Sequence, residues 1–198
     1  MADEVKKVSN FVKYQISRLS GSSNEAAARA TLAKLRRGIG NEPGSMPELW
    51  DITLNGLDES LTSKDGAPTR GEWAVHTALT LYALHQQGAD MQQNAMSKDK
   101  NTLGTSLRKL IKNEEDEIRV KRRFDAAATS DSLAEFSHHL RGLIQLLKSQ
   151  DIPLDYPELA KDLYLFQFPE ARDSVRLRWG REFYRIKSNV EGDGNLRS

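Results

Sequence analysis

Arginines at helical spacing are the residues in this chain whose pattern points to a chemistry. The segment 172–187 reads R-D-S-V-R-L-R-W-G-R-E-F-Y-R-I-K, setting Arg172, Arg176, Arg178, Arg181, Arg185 and Lys187 against only Asp173 and Glu182. Val175, Trp179, Phe183 and Ile186 recur at i, i+4, i+8 and i+11, the inward stripe of a helix. Arg178, Arg181 and Arg185 fall at i, i+3 and i+7 on a neighbouring face. A guanidinium grips phosphate through two parallel N–H donors, so a row of them on an anchored helix suits a polyanion. A solvated charged face accounts for the same pattern.

Three further clusters repeat the theme. Arg29, Lys34, Arg36 and Arg37 crowd one segment that holds no acid. Arg119, Arg122 and Arg123 share one face of a helix that buries Val120, Phe124 and Ala127, and Arg141 aligns with His138, Gln145 and Lys148 at helical spacing. Each cluster alone is explained by solvation; together, in a chain with no catalytic constellation, they point to binding of a nucleic-acid backbone.

Other chemistry finds no residues to stand on. There is no cysteine, which removes disulfides, thiolate metal sites and thiol nucleophiles. His76 and His85 point to opposite sides of one helix, and His138 and His139 diverge, so the four histidines form no chelate. The acids Glu114, Glu115, Asp116 and Glu117 follow Asn113 in the first turn of a helix, where the helix dipole accounts for them. Gly38 and Gly40 lack the strand and the Lys-Ser/Thr of a phosphate loop. No nucleophile elbow or triad is present, so the expectation is a protein that is not an enzyme, with no cofactor and no metal. No aromatic platform for single strands is visible, and Trp50, Trp73 and Trp179 all fit cores.

Helices must hold these side chains, because a 3.6-residue period runs through nearly every segment. The expected fold is all-α, two packed helical bundles of about eight or nine helices. The expected units are a helical domain at 1–100, a helical bundle at 101–187 and a disordered tail at 188–198, with polar residues 90–100 as a hinge. Asn24 and Asn113 read as N-caps, and Asp155 with Glu158 as a capping box. The clearest core stripe is Leu133, Phe136, Leu140, Leu143, Ile144 and Leu147. At 198 residues the chain can bury a sizeable core, and its net charge of +1 places any polyanion binding in local stripes. The start, M-A-D-E-V-K-K, has no apolar leader and no segment is apolar enough to span a bilayer, so a cytoplasmic location with no membrane partner is expected.

At these residues the chain resembles the CasB family, the small subunit of the type I-E CRISPR surveillance complex Cascade. The resemblance rests on A-K-L-R-R-G-I-G at 33–40, P-E-L-W at 47–50, H-T-A-L-T-L-Y-A-L-H-Q-Q-G at 76–88 and S-L-R-K-L at 106–110. It continues through K-R-R-F at 121–124, H-L-R-G-L at 139–143, I-P-L-D-Y at 152–156, L-A-K-D-L at 159–163 and V-R-L-R-W-G-R-E-F-Y at 175–184. It covers most of the chain in order. Phe166-Gln167-Phe168 departs from relatives that carry Trp before Gln.

The resemblance implies a non-catalytic, all-α subunit. Its partners would be the guide RNA, the target and displaced DNA strands, the large subunit CasA, the backbone subunit CasC and a second copy of itself. The basic residues it carries over are Arg36, Arg37, Arg122, Arg123, Arg141, Arg176, Arg178 and Arg181; Arg70, Arg108 and Arg172 flank matched blocks and join them. The competing class is a structural helical adaptor whose arginine faces meet acidic proteins.

Overall fold

Short polar side chains set where the helices begin. Asn24 accepts from the Ala27 N–H (2.9 Å), Asn113 from Asp116 (2.8 Å) and Ser132 from Glu135 (3.2 Å). Each satisfies a donor that the first turn leaves unpaired. Thr69 accepts from Glu72 N–H while the Glu72 carboxylate returns to Thr69 N–H (2.7 Å), a complete capping box.

The computed structural model describes residues 1–185; Ile186, Lys187 and the tail expected at 188–198 lie outside the described residues. The helices are α1 (Ala2–Ser20), α2 (Glu25–Arg37), α3 (Trp50–Thr53), α4 (Arg70–His85), α5 (Leu103–Arg108), α6 (Glu114–Ala128), α7 (Leu133–Lys148), α8 (Tyr156–Phe166) and α9 (Pro169–Tyr184). Short 3-10 turns occupy Pro47–Leu49 and Glu59–Leu61. Among the described residues the β structure is an isolated bridge between Ser97 and Leu154.

The helices form two packed bundles, as the periodicity requires. In the first, α4 is apolar nearly all round and is surrounded by α1, α2 and α8; in the second, α5 packs on α9 and α6 on α7. The chain order does not follow the bundles. α8 comes after α7 yet lies against α1 and α4, touching the second bundle through α9. One connected set of buried side chains therefore runs through both halves. The polar segment 90–100, expected to be a hinge, is fastened instead. Gln86 Oε1 accepts from Met96 N–H (2.8 Å), Met96 and Leu154 pair through their backbones (3.0 Å), and Asp155 holds Lys100 N–H (2.8 Å).

Two local expectations need correction. The Asp155–Glu158 capping box is half made: Asp155 accepts from Glu158 N–H (3.0 Å), but the Asp155 N–H goes to the Asn101 carbonyl, and the Glu158 carboxylate is drawn to Arg178 and Lys161. Of the three tryptophans only Trp179 is in the core. Trp73 is half-buried, and Trp50 is 49% exposed because Leu49 and Ile52 take the inward positions around it.

The core joins the bundles through specific contacts. Phe136, Phe166 and Trp179 cluster with nearly parallel rings, the Phe136 centroid 4.7 Å from Phe166 and 5.0 Å from Trp179 and those two 6.0 Å apart. Gly104 lets α5 lie directly on α9, since a Cβ there would meet the Trp179 carbonyl at 2.5 Å. His85 on α4 is fully buried beside the Tyr156 hydroxyl of α8 (3.0 Å), which donates onward to the Leu81 carbonyl (3.2 Å). Burial pushes the His85 pKa down to about 4.

Leu140, with no exposed surface, fills the middle of α7, so Leu140→Ala is expected to cost about 2–5 kcal/mol in denaturant unfolding. A near-neutral change would show that this face is not core. The depressed His85 pKa has a definite sign: the unfolded chain takes up this proton near the ordinary histidine value of 6.5 and the folded chain near 4. The neutral histidine's contribution is thus present above pH 6.5 and lost as pH falls towards 4. The stability gap between wild type and His85→Gln should narrow over that window; a gap independent of pH contradicts it.

Candidate nucleic-acid interface

α6 turns Val120, Phe124 and Ala127 inward, with Phe124 against Phe183 of α9 (4.9 Å), which leaves Arg122 and Arg123 exposed on the other side. α7 turns Leu140, Leu143, Ile144 and Leu147 inward and exposes His138 and Arg141. Between these helices lies a hollow of about 740 Å³ lined by Arg119, Arg122, Arg123, His138, His139 and Gly142. His138 also borders a second cavity, shared with Arg141, between α4, α7 and the turn at 39–41.

Further along α7, Lys148 donates to Gln87 (3.0 Å), and its pKa is lowered by burial and then by the charge of Arg36. Arg36 in turn lines a hollow of about 440 Å³ with Arg29 and residues 86–91. His138 thus links the hollow of Arg122 and Arg123 to that of Arg141, and Arg36 lies near the end of α7 that carries Lys148. Among the described residues Arg36, Arg122, Arg123 and Arg141 make no ion pair, whereas Arg119 is held by Asp116 (2.7 Å), Arg29 by Glu25 and Arg37 by Glu48 (2.9 Å).

The other arginines singled out in the sequence have different surroundings. Arg178 is drawn into α8, against Glu158 (3.1 Å) and the buried Asp162, whose second oxygen accepts from Trp179 Nε1–H (2.6 Å). Burial pushes the Asp162 carboxyl up to about 7, while the Arg178 charge pulls it back. Arg176 reaches Asp173 (3.2 Å), Asp131 (3.7 Å) and the Ser130 carbonyl (2.7 Å). Arg172 donates to the Phe166 carbonyl (3.0 Å) and lies over its ring. Arg70 stacks over Phe168 at 4.5 Å from the ring centre, and Arg108 faces Glu117 at 3.9 Å. Arg181 is exposed and unpaired among the described residues.

The structure places Arg122 and Arg123, then Arg141, then Arg36 in a row of three hollows, the first two sharing His138, and Arg172, Arg176 and Arg178 line none of them. Since Val175, Trp179 and Phe183 must face inward, Arg178 is turned towards α8, and its carboxylate partners lie too far off in sequence for spacing to reveal. His138, Arg119 and Lys148 join the row; their signal was the helical spacing on α6 and α7.

The histidines on α4 have separate partners: His76 Nε2 meets the Gly38 carbonyl (2.9 Å), and burial lowers its pKa. No group of three metal-binding side chains occurs among the described residues, and no described helix is long and apolar enough to cross a membrane.

The sequence matches the family described as CRISPR-associated protein Cse2 over residues 31–184. Among solved structures, CasB from Thermobifida fusca shares 31% identity with a TM-score of 0.75, over 90% of this chain and 98% of that one. The Cse2-family CRISPR-associated protein from Thermus thermophilus shares 24% identity and a TM-score of 0.64, over 89% and 97% of the two chains. CasB from M. ruber shares 24% identity and a TM-score of 0.65, over 90% and 93%. These last two share the fold. A search of curated proteins gives no significant match.

The two classes of arginine should separate by stability. Arg178→Ala strips Asp162 of its counter-charge and is expected to cost about 3–5 kcal/mol, as breaking a buried pair does. Arg122→Ala and Arg123→Ala should each stay within about 0.5 kcal/mol of wild type. Equal losses in thermal or urea unfolding would contradict the division.

Proposed function

Because this chain belongs to the Cse2 family of CRISPR-associated proteins, we propose that it acts as the small, non-catalytic subunit of a type I-E Cascade complex, supporting guide RNA and target DNA and stabilising the displaced strand through backbone contacts. The observation that carries this reading is the row of unpaired cations at Arg36, Arg122, Arg123 and Arg141. A folded protein with a net charge of +1 that leaves these guanidinium groups without partners has kept them for an external anion. Lys148 and Arg119 lie beside them, and these four guanidinium groups have no carboxylate within ion-pair distance among the described residues.

The energetics suit the role. Exchanging a DNA duplex for an RNA–DNA hybrid is nearly balanced, so modest contacts to the opened strands tip the exchange. Contacts from a row of arginines to phosphates read charge and shape, independent of base sequence. The large subunit CasA, the backbone subunit CasC and a second copy of this chain are the proposed protein partners.

In the assembled complex, removing Arg122 and Arg123 should reduce the log–log salt slope of binding by about 0.7 per charge for single strands and about 0.9 for duplex DNA. The loss should be alike across sequences, with guide RNA loading retained. Target affinity and displaced-strand protection over a salt series are the measurement. Unchanged slope and protection in variants of Arg36, Arg141 and the Arg122–Arg123 pair, with assembly intact, would leave acidic proteins as the partners of these faces.

A further inference from the structure

α4 is buried at every position from Gly71 to His85 except one, and that one is Trp73. The largest apolar side chain is thus the one left half-open on an otherwise enclosed helix. Trp73 lines a cavity of about 290 Å³ between the two bundles, together with Thr77 and Leu81 from the next turns of α4. The facing wall is α7, with Leu133, which periodicity had placed in the core, and with His138 and Arg141 of the basic row.

Three features say what the cavity takes. Its wall holds polar groups without partners among the described residues. His76 Nδ1 is buried and unpaired there, and the Trp73 indole and the Thr77 hydroxyl make no side-chain hydrogen bond within the described residues. Second, no carboxylate lines it, and two of its lining residues are the basic His138 and Arg141. Third, those same two residues belong to the row, so a strand following the row passes the opening.

An apolar ligand would leave the Arg141 guanidinium without counter-charge, and a phosphate alone would leave the indole and the apolar wall unused. A flat heterocycle attached to a phosphate satisfies both. We propose that this cavity receives one unstacked base of the strand whose phosphates lie along the row, the base lying against Trp73; this rests on the phosphate-binding reading of the row. Stacking on an aromatic ring tolerates every base, because each has a π face. The bound base therefore adds affinity without imposing a sequence.

The test compares a single-stranded oligonucleotide with an abasic strand of equal length, for the full chain and its variants. Wild type should prefer the base-bearing strand about 10-fold, as one stacked base gives. Trp73→Leu should lose that preference while binding the abasic strand as wild type does, and Trp73→Phe should keep most of it. Arg122→Ala/Arg123→Ala should weaken both strands alike and leave the preference intact. Equal binding of both strands by wild type, with the arginine variant still weakening both, overturns the cavity and leaves the row standing. Should neither strand bind, the row fails, and the cavity is judged by nucleoside 5′-monophosphate against ribose 5-phosphate in a Trp50→Phe background. Quenching of tryptophan emission by the nucleotide alone, lost in Trp73→Leu, upholds it; no quenching overturns it.

Discussion

A carboxylate with 1% of its surface exposed must be compensated where it sits, and Asp162 on α8 is compensated from α9, by the Arg178 guanidinium and the Trp179 indole N–H. Such a pair adds little net stability, because desolvation offsets the attraction; its effect is to forbid other arrangements. Only one rotation of α9 delivers both donors to α8. That rotation points Val175, Trp179 and Phe183 at the second bundle, where Trp179 stacks on Phe136 of α7 and Phe183 meets Phe124 of α6. The same α8 lies against α1 and α4. The two helices that carry the open cations are thereby held in register with the first bundle, which supplies Arg36 and Trp73. Together with the direct packing of α7 on α4, α8 and α9 fix the helices that carry Arg36, Arg122, Arg123 and Arg141 relative to one another.

The distribution of charge follows a division of labour. Arg176 and Arg178 on α9 are neutralised at home, by Asp173 and Asp131 and by Glu158 and Asp162. On α2 and α6, Arg29, Arg37 and Arg119 are paired too, with Glu25, Glu48 and Asp116, whereas Arg36, Arg122, Arg123 and, on α7, Arg141 make no ion pair among the described residues. With the net charge near zero, the field far from the molecule is weak, and any attraction for a polyanion is local.

Much of this was legible in the sequence, because period and caps are local. The stripe through Leu140 and Leu147 and the caps at Asn24 and Asn113 stand where spacing placed them. Spacing reveals which residues share a face but not what the face meets. Arg178 sits in a helical row with Arg181, yet its side meets two carboxylates contributed by another helix. Trp73 reads as core by type, and only the approach of α7 shows that its ring borders a cavity. The polar composition of 90–100 suggests a hinge, whereas its backbone is tied to Gln86 and to 154–155 from the far side of the fold. In each case the deciding partner is remote in the chain.

The central claim is that one set of arginines is held open for phosphate while another is spent on the fold. Arginine side-chain N–H resonances, followed as a single-stranded oligonucleotide is added to the full chain, report on both sets at once. The account predicts that the signals of Arg36, Arg122, Arg123 and Arg141 shift together and return at high salt, while those of Arg172, Arg176 and Arg178 stay in place. Shifts confined to the second set, or spread evenly over both, would contradict it.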